Sequence, residues 1–500
     1  MSDPASVQWT PELEATHRGL SWVDLEFRRQ ALHDPGLLSR ERFSALDQHR
    51  GVLAFRAQPW PTFVGGSKMG ELRGLGLAIC NLVRSVPQRL WKGDPAGLAR
   101  FYALPSPEVA ELFMAPPNGI AESVARGDFI DTSDGFKCIE FNFSADLAGW
   151  ETALLIDMYM AVPEIAGFLS RYGIEPVCTN TVRKLFSFLA EDLLRRGLCG
   201  AGELNVVFTL PQKSSKKAGV ADAVGTYVGD ELQAALAESG IDLEGRVAGA
   251  VFPQLTRRGL GIFLGDMEVH AVIDFSEELV PRDVIWSFKA GKVGLLNGPI
   301  EKVLSEKRNL ALLSESVESG PWDDRERERI RRHIPWSRQV LPVEVELHGE
   351  RAFLPELLSR RREELVLKDG FASGGKGVAL GRVTAPARWS EIVEGALERG
   401  GWMVQELLES LPYLYQCGDY GCAVHDVIWG PFVFGPTDGG VILRMQPKQH
   451  GSAVNLNLQA TEGIVIEVDG DSETVLQPDR DPSQTTAGLN APGSPVRARP

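Results

Sequence analysis

Two carboxylates and a side-chain amide occupy a segment whose pattern predicts a β-hairpin. Asp128 lies in the run VARGDFIDT, Glu140 and Asn142 lie in the run FKCIEFN, and Ser133-Asp134-Gly135 forms the turn between them. Residues two apart on a strand point to the same face, and a residue of the partner strand can lie opposite. Mg²⁺ prefers such oxygen ligands and usually shares them with substrate phosphates. The segment predicts a magnesium site, and an ordinary hairpin with one polar face is the alternative.

A glycine-rich run, KDGFASGGKGV, could bind phosphate through its backbone. Small residues leave the amides accessible, and Lys368 at the end of the preceding strand could reach a phosphate. The spacing Gly370-x4-Gly375-Lys376 approaches a P-loop, but Gly377 stands where a P-loop needs Ser or Thr, and a strand follows instead of a helix. The run therefore predicts a flap between two strands, with a plain hairpin loop as the alternative.

Three further places carry weaker signals. Gln405 and Glu406 end the strand-like run GWMVQE, which favours an edge strand with two solvated polar residues over a hinge that reads an adenine edge. Lys307 precedes the helical run LALLSESVES, where a cation is unfavourable unless an anion lies nearby. A solvated lysine is the simpler interpretation there. Arg444 in GGVILRMQ and the later Asn455 fit a polar strand face.

The elements that must position these residues follow from local periodicity. The runs ELEATHRGLSWVDLEFRRQALHD, DPAGLARFYAL and SPEVAELFM predict helices, whereas NVVFTL and VGDELQAALAESG predict a strand and a helix of an α/β unit. The chain has 500 residues, which at roughly 150 per domain favours about three domains. The expected divisions are a helical region at 1–115, the hairpin segment at 116–174, the α/β unit at 175–294, a mixed region of helices and short strands at 295–474, and a disordered tail at 475–500.

Composition excludes several classes of protein. Lys and Arg number 52 against 67 Asp and Glu, giving a net charge of −15, which argues against binding to nucleic acid. No apolar run approaches the roughly 18 residues of a membrane span, and the start MSDPASVQWTPELEA has no secretory pattern. The scattered His and Cys residues have no zinc spacing. We therefore expect a cytoplasmic protein with no nucleic-acid or membrane partner.

Taken together, the motifs resemble the ATP-grasp superfamily. They are Lys307 before a helix, IPWSR, VLKDGFASGGKGVALG, WMVQE, GG..LR and VNLN. The run RGDF…IEFN comes before them, an order that resembles the circularly permuted ATP-grasp proteins related to the synthetase half of glutathionylspermidine synthase. The resemblance covers roughly residues 120–470. It implies a mixed α/β fold: a circularly permuted ATP-grasp core, a pre-ATP-grasp-like α/β domain at 175–294 and the helical N-terminal region.

The resemblance also implies ATP and Mg²⁺ and a role for each motif. It gives the metal to Asp128, Glu140 and Asn142, and places Arg126 at the γ-phosphate and then the acyl phosphate. The nucleotide contacts that it implies are Lys307, Lys368, Ser373, Gly374, Gly375, Lys376, Gly377, Gln405 and Glu406. Arg444 and Asn455 match recurrent family positions, Arg444 as a second arginine of the catalytic site.

Two departures from the family matter. Asp369 follows Lys368 where the family usually has proline, which bears on how the flap is set. The first 115 residues contain only Cys80 and no cysteine–histidine amidase pattern, so amidase activity is not implied.

The function expected is an ATP-dependent carboxylate–amine ligase that forms an amide through an acyl phosphate and releases ADP and phosphate. Its partners would be a small-molecule or peptide carboxylate and an amine. Two alternatives stay open: a phosphotransferase of the same superfamily, and a non-catalytic nucleotide-binding partner protein. The sequence leaves the two substrates and the oligomeric state open.

Overall fold

The structure, a computed structural model, has a mixed α/β fold. It describes residues 7–34, 38, 43, 56–114, 123–199, 202–211, 218–276, 278–296, 298–370, 372, 377–418, 421–448 and 460–469. The α-helices of these ranges are α1 Pro11–Leu20, α2 Trp22–His33, α3 Gly66–Leu90, α4 Pro95–Phe101, α5 Pro107–Met114, α6 Thr152–Met160, α7 Pro163–Tyr172, α8 Thr181–Arg195, α9 Ala218–Glu238, α10 Arg282–Lys289, α11 Glu301–Leu304, α12 Arg308–Glu315, α13 Asp324–His333, α14 Leu354–Arg360 and α15 Pro386–Arg399.

The strands fall into five sheets. They are β1 Arg56–Ala57, β2 Thr62–Gly65, β3 Val124–Thr132, β4 Gly135–Phe143, β5 Gly202–Thr209, β6 Leu243–Ala250, β7 Leu255–Arg258, β8 Gly261–Leu264, β9 Met267–Val269, β10 Ala271–Asp274, β11 Gly294–Leu295, β12 Ser337–Gln339, β13 Glu344–Leu347, β14 Glu350–Phe353, β15 Leu365–Asp369, β16 Val378–Leu380, β17 Trp402–Glu406, β18 Tyr413–Cys417, β19 Gly421–Phe434, β20 Thr437–Pro447 and β21 Thr461–Val468.

The largest sheet combines strands from distant parts of the chain. Its eight strands run in the order β1-β21-β20-β19-β3-β4, with β18 also paired to β19 and β2 also paired to β21. The antiparallel pairing of β3 with β19 places Phe129 opposite Trp429 and Arg126 opposite Phe432. The early hairpin and the C-terminal strands therefore form one continuous surface.

One face of this sheet is covered by the N-terminal helices. Phe129, Trp429 and Leu443 are buried on that face, in a core that also contains residues of α1, α2 and α3. Helix α3 approaches closely at Gly76, where an added Cβ would lie 3.1 Å from the Cβ of Pro431. The helical region is thus a structural layer of the main sheet.

Part of the opposite face packs against the α/β unit. There, Phe432 and Ile442 share a core with Val182 and Leu189 of α8. Behind α8 lies a parallel sheet with the strand order β11-β10-β5-β6, in which β5 covers most of the predicted strand NVVFTL. Arg126, Asp128 and Arg444 lie on the same face.

A smaller antiparallel sheet, in the order β12-β17-β15-β16, lies between the α/β unit and the C-terminal strands in sequence. Leu365, Leu367 and Val404 pack beneath it against Leu357 of α14 and Trp389 of α15. Apolar residues at alternate positions of β15 are buried on this side, so Lys368 faces the other way.

Local patterns predicted many of these elements correctly. The helices expected in the first 115 residues appear as α1, α2, α4 and α5, and the expected hairpin is β3 and β4. Helix α3 was not predicted, and α9 begins before the run VGDELQAALAESG. The predicted tail at 475–500 lies outside the described residues.

Among the described residues, no single helix has both the length and the apolar composition needed to cross a membrane. Helices α6 and α7 have the required length and apolar composition only when they are taken together, and the angle between them at the intervening break is 72°.

A buried polar network fixes the N-terminal helices to the main sheet. The Leu414 N–H of β18 donates to His17 Nε2 at 2.9 Å, so Nδ1 carries the proton and donates to Asp24 Oδ2 at 2.6 Å. Asp24 Oδ1 also accepts from the Phe63 N–H at 3.0 Å and from Arg28 at 3.1 Å. The Arg28 guanidinium lies 4.6 Å from the ring centroid of Tyr415. Asp24 is therefore the acceptor shared by α1, α2 and β2, and His17 links it to β18.

We expect Asp24→Ala to destabilise this docking strongly. It leaves the buried Arg28 charge and two N–H donors without their acceptor, a loss that costs about 3–5 kcal/mol when a buried pair is broken. Thermal or urea unfolding followed by circular dichroism measures the effect. Glu14→Ala removes ion pairs with Arg18 and Arg29 and a hydrogen bond from Trp9 Nε1, and because these lie near the surface it should change stability much less. Equal effects of the two variants would contradict the assignment.

Candidate active site

The predicted metal ligands lie side by side on the β3–β4 hairpin. Asp128 is directly opposite Glu140, and Arg126 is directly opposite Asn142. The register shifts between Asp128 and Phe129, which leaves Ile139 as the extra residue of β4. Because cross-strand partners share a face, all four polar side chains point away from the N-terminal helices.

Asp128 forms ion pairs with two arginines. Its Oδ1 lies 3.2 Å from Arg126 Nε and 2.5 Å from the Arg444 Nη2 of β20. Burial alone would raise the pKa of Asp128, but the Arg444 and Arg126 guanidiniums outweigh it and keep that pKa below its usual value. Gly430 leaves room for this arrangement, since an added Cβ would lie 3.1 Å from Arg126 Cδ.

Two lysines from other segments approach the same hairpin. Lys307 Nζ lies 3.3 Å from Glu140 Oε1 and also donates to the backbone oxygen of Ala372. Lys368 Nζ donates to the Ile139 carbonyl and to Gln405 Oε1, both at 2.8 Å. Burial and the nearby Lys307 lower the pKa of Lys368, although Glu140 partly offsets them. Both lysines are at least nine-tenths buried, so the interpretation of Lys307 as a solvated lysine is wrong.

Positive charge exceeds negative charge in this buried cluster. Among the described residues, the cations Arg126, Arg444, Lys307 and Lys368 contact only two carboxylates, Asp128 and Glu140. Arg444 Nε is buried with no hydrogen-bond partner in the described part of the chain. Buried charges are costly unless paired, so the surplus and the unpaired N–H fit an anionic ligand.

Gln405 and Glu406 have different surroundings. The sequence favoured an edge strand, but β17 lies between β12 and β15, and Gln405 is only 1% exposed. Its Nε2 donates to Ser337 Oγ at 3.0 Å while its Oε1 accepts from Lys368. Glu406 instead points to the other side, where its Oε1 lies 3.0 Å from His348 Nε2. The solvated edge-strand interpretation is therefore wrong for Gln405, because pairing with β12 makes β17 a central strand.

The flap is anchored next to Lys307. Strands β15 and β16 pair antiparallel, as predicted for a loop between two strands, and the Asp369 N–H donates to the Gly377 carbonyl at 2.9 Å. Gly377 has a φ of +72°, which glycine adopts without strain. The Lys307 N–H donates to the Gly370 carbonyl at 3.2 Å.

Some predicted residues cannot be placed. Ser373, Gly374, Gly375 and Lys376 of the flap and Asn455 lie outside the described residues.

Sequence reasoning missed Glu462 of β21. It lies directly opposite Arg444 and is only 5% exposed. Burial, reinforced by the charge of Glu151, raises its pKa to about 8 against the attraction of Arg126 and Arg444. The only sequence signal was a carboxylate inside the apolar run TEGIVIEV.

The side-chain oxygens of the hairpin can hold a cation such as Mg²⁺ only if the amide oxygen of Asn142 joins the two carboxylates. Within the ranges that the structure describes, no group of three or more His, Cys, Asp and Glu is arranged to hold a metal. Asp128 and Glu140 supply two carboxylates, and Asn142 supplies an amide oxygen on the same face. These oxygen donors are of the type that Mg²⁺ shares with phosphates.

Comparison with known proteins identifies a shared fold. No protein-family model and no curated protein sequence matches the chain. A glutathione synthetase-like effector from Globodera pallida superposes with a TM-score of 0.52 at 12% identity, covering 92% of this chain and 98% of that one. A putative γ-glutamylcysteine synthetase from Methylobacillus flagellatus gives a TM-score of 0.36 at 9% identity over 75% of this chain and 83% of that one, which is too low to support an argument. At 12% identity, the similarity to the Globodera pallida protein concerns the fold alone.

The raised pKa of Glu462 predicts a specific dependence of stability on pH. The folded protein binds this proton more tightly than the unfolded chain, so stability falls as pH rises from about 4.5 to about 8. Glu462→Gln cannot ionise and should lose less stability. We expect its Tm to fall less than that of the unmodified protein between about pH 6 and about pH 9, by about 2 °C or more.

Differential scanning fluorimetry over this range measures the difference. Glu467→Gln is the matched control, because Glu467 lies on the same strand but pairs with Arg73 at 2.6 Å. If the Tm of Glu462→Gln fell with rising pH as much as that of the unmodified protein, the raised pKa of Glu462 would be contradicted.

Proposed function

We propose that the protein is an ATP-dependent carboxylate–amine ligase with a circularly permuted ATP-grasp core. The observation that carries this proposal is the buried cationic cluster around Asp128 and Glu140. Four separate segments contribute to it: the β3–β4 hairpin, the turn before α12, β15 and β20. A polyphosphate with Mg²⁺ would match the surplus charge.

The similarity in fold to a glutathione synthetase-like protein agrees with the proposed ligase function. The Globodera pallida protein is described as glutathione synthetase-like, and the superposition covers nearly the whole of both chains. The pairing of β3 with β19 supports a single catalytic domain that combines the segment 116–174 with 295–474, interrupted by the α/β unit at 175–294. The early position of the hairpin in the chain is what the proposed permutation requires.

In this proposal the lysines and the flap bind the nucleotide phosphates. Phosphate oxygens would replace Glu140 as the partner of Lys307 and would lie within reach of Lys368. Gln405 fixes the Lys368 ammonium through the bond to its Oε1, and the backbone at the end of β17 would meet the adenine. The Glu406 N–H already donates to the Trp336 carbonyl at 2.9 Å, so it is not the adenine donor.

Asp128, Glu140 and Asn142 would hold Mg²⁺. When bound, the metal supplies charge neutralisation and orientation of the transferred phosphoryl group. Arg126 and Arg444 remain beside it as fixed cations that cost no reorganisation during the reaction.

The reaction needs positioning rather than a protein nucleophile. A substrate carboxylate attacks the γ-phosphate of ATP and releases ADP, and an amine then attacks the acyl carbon and releases phosphate. Arg126 and Arg444 would stabilise the negative charge that develops in both steps. Cys138 lies on the hairpin, but burial and the Asp128 charge raise the pKa of its thiol, so it stays protonated and unreactive.

Asp128→Asn is predicted to abolish ligation and to lower stability, so circular dichroism at the assay temperature must first show that the variant is folded. The change removes a metal ligand and the shared partner of two arginines. We expect kcat/KM to fall by at least about 100-fold. The assay measures ADP and phosphate with a panel of amino acids and small peptides as acids and amines. Release of AMP and pyrophosphate would contradict the mechanism, and a stable phosphorylated product without need of an amine would favour the phosphotransferase.

Lys368→Met is predicted to weaken nucleotide binding. Methionine keeps much of the volume but removes a charge-assisted bond, so the Kd for a non-hydrolysable ATP analogue should rise by roughly 10-fold or more. Isothermal titration calorimetry measures it. Lys448→Met, which alters a lysine 3.9 Å from Asp426, is the control and should leave the Kd unchanged. Unchanged affinity of Lys368→Met would place the nucleotide elsewhere.

A further inference from the structure

We propose that Glu462 is a catalytic residue that accepts the proton which the attacking amine must lose. This inference rests on the proposed ligase function and adds a residue with a defined role to it. The carboxylate lies on the same sheet face as the cationic cluster, and none of the sequence motifs includes it.

The register of the main sheet sets where Glu462 lies. Arg444 is the cross-strand neighbour of Glu462, and Arg444 Nη2 reaches across to Asp128. The Arg444 guanidinium therefore lies between Glu462 and Asp128. In the proposed complex, with Arg444 beside the acyl phosphate, Glu462 lies on the other side of Arg444 from the metal ligands.

The surroundings of Glu462 differ from those of the other acids in the cluster. Asp128 and Glu140 have cations at contact distance, whereas the Glu462 carboxylate forms no hydrogen bond or ion pair within the described ranges. The charged groups that influence it are Arg126 from β3, Arg444 from β20 and Glu151 from the turn before α6. It is only 5% exposed.

Such a carboxylate contributes little to stability. A buried acid without a donor loses its hydration and gains no compensating bond. Burial and Glu151 raise its pKa to about 8, so the carboxylate is available to take a proton from about pH 8 upwards. We infer that Glu462 is a glutamate because the reaction needs its carboxylate, and not because the carboxylate stabilises the fold.

The step balances without any other reactant. Glu462 takes one proton from the substrate ammonium, giving the free amine and a neutral carboxyl group. The amine nitrogen forms a bond to the acyl carbon, the bond from that carbon to the phosphate oxygen breaks, and the second proton leaves with the phosphate. Glu462 then returns its proton to water.

The test compares two nucleophiles in the full-length protein. At about pH 8, where a large share of Glu462 is ionised, hydroxylamine is mostly unprotonated and needs no base, whereas methylamine is still almost fully protonated. With a mixture of amino acids and dipeptides as acids, the unmodified protein should form a hydroxamate with the first and an amide with the second. Glu462→Gln should keep hydroxamate formation within about threefold and lose amide formation by roughly 100-fold or more.

Several controls keep the result interpretable. Glu467→Gln should behave as the unmodified protein with both nucleophiles. Glu462→Asp keeps a carboxylate with shorter reach and should recover part of the amide formation. If the Gln variant does not fold, the Asp variant should still show a lower ratio of amide to hydroxamate. Equal losses with both nucleophiles, or no loss, would overturn the assignment of Glu462. Failure of the unmodified protein to form any hydroxamate would instead refute the ligase proposal.

Discussion

The arrangement of the candidate site depends on Asp128 lying between two arginines. Arg126 is buried and the Arg444 side chain is only 11% exposed on the same sheet face, where Arg444 disfavours the charge of Arg126. Asp128 contacts both, which makes the close approach of the two guanidiniums possible. The contact also joins β3 to β20 across β19, so the same interaction that balances charge fixes the geometry of the main sheet. Gly430 also contributes to this arrangement, because its lack of a side chain leaves the space that Arg126 occupies.

A single carboxylate does not balance the whole cluster. Lys307 and Lys368 come from a different sheet layer and contact the hairpin through Glu140 and the Ile139 carbonyl. These polar contacts lie on one face of the hairpin, whereas Leu304 and Leu310 share an apolar core with Phe141 on its other face. An interface of this kind can exchange its partners for the oxygens of a ligand at low cost, whereas the apolar cores on either side keep the layers in place.

Local sequence predicted the hairpin and the shared face of its polar residues well, because a period of two and a turn are local properties. It also placed Lys368 at the end of a strand next to a loop. It failed for Gln405, whose burial depends on β12, a partner 65 or more residues earlier in the chain. It gave no reason to select Glu462, because the residue matters only through its pairing with Arg444. Pairings between distant strands cannot be deduced from local periodicity, and these pairings bring the site together.

The pairing of β3 with β19 also affects how the protein is made. Arg126 and its partner Phe432 are about 300 residues apart. At about 5–20 residues per second, the hairpin leaves the ribosome roughly 15–60 s before the strand that completes it. During that interval one edge of the hairpin has unpaired backbone groups. Its apolar face shares a core with the helices that precede it in the chain, so this early helical layer is available to shield the half-built sheet from other chains until the C-terminal strands are made.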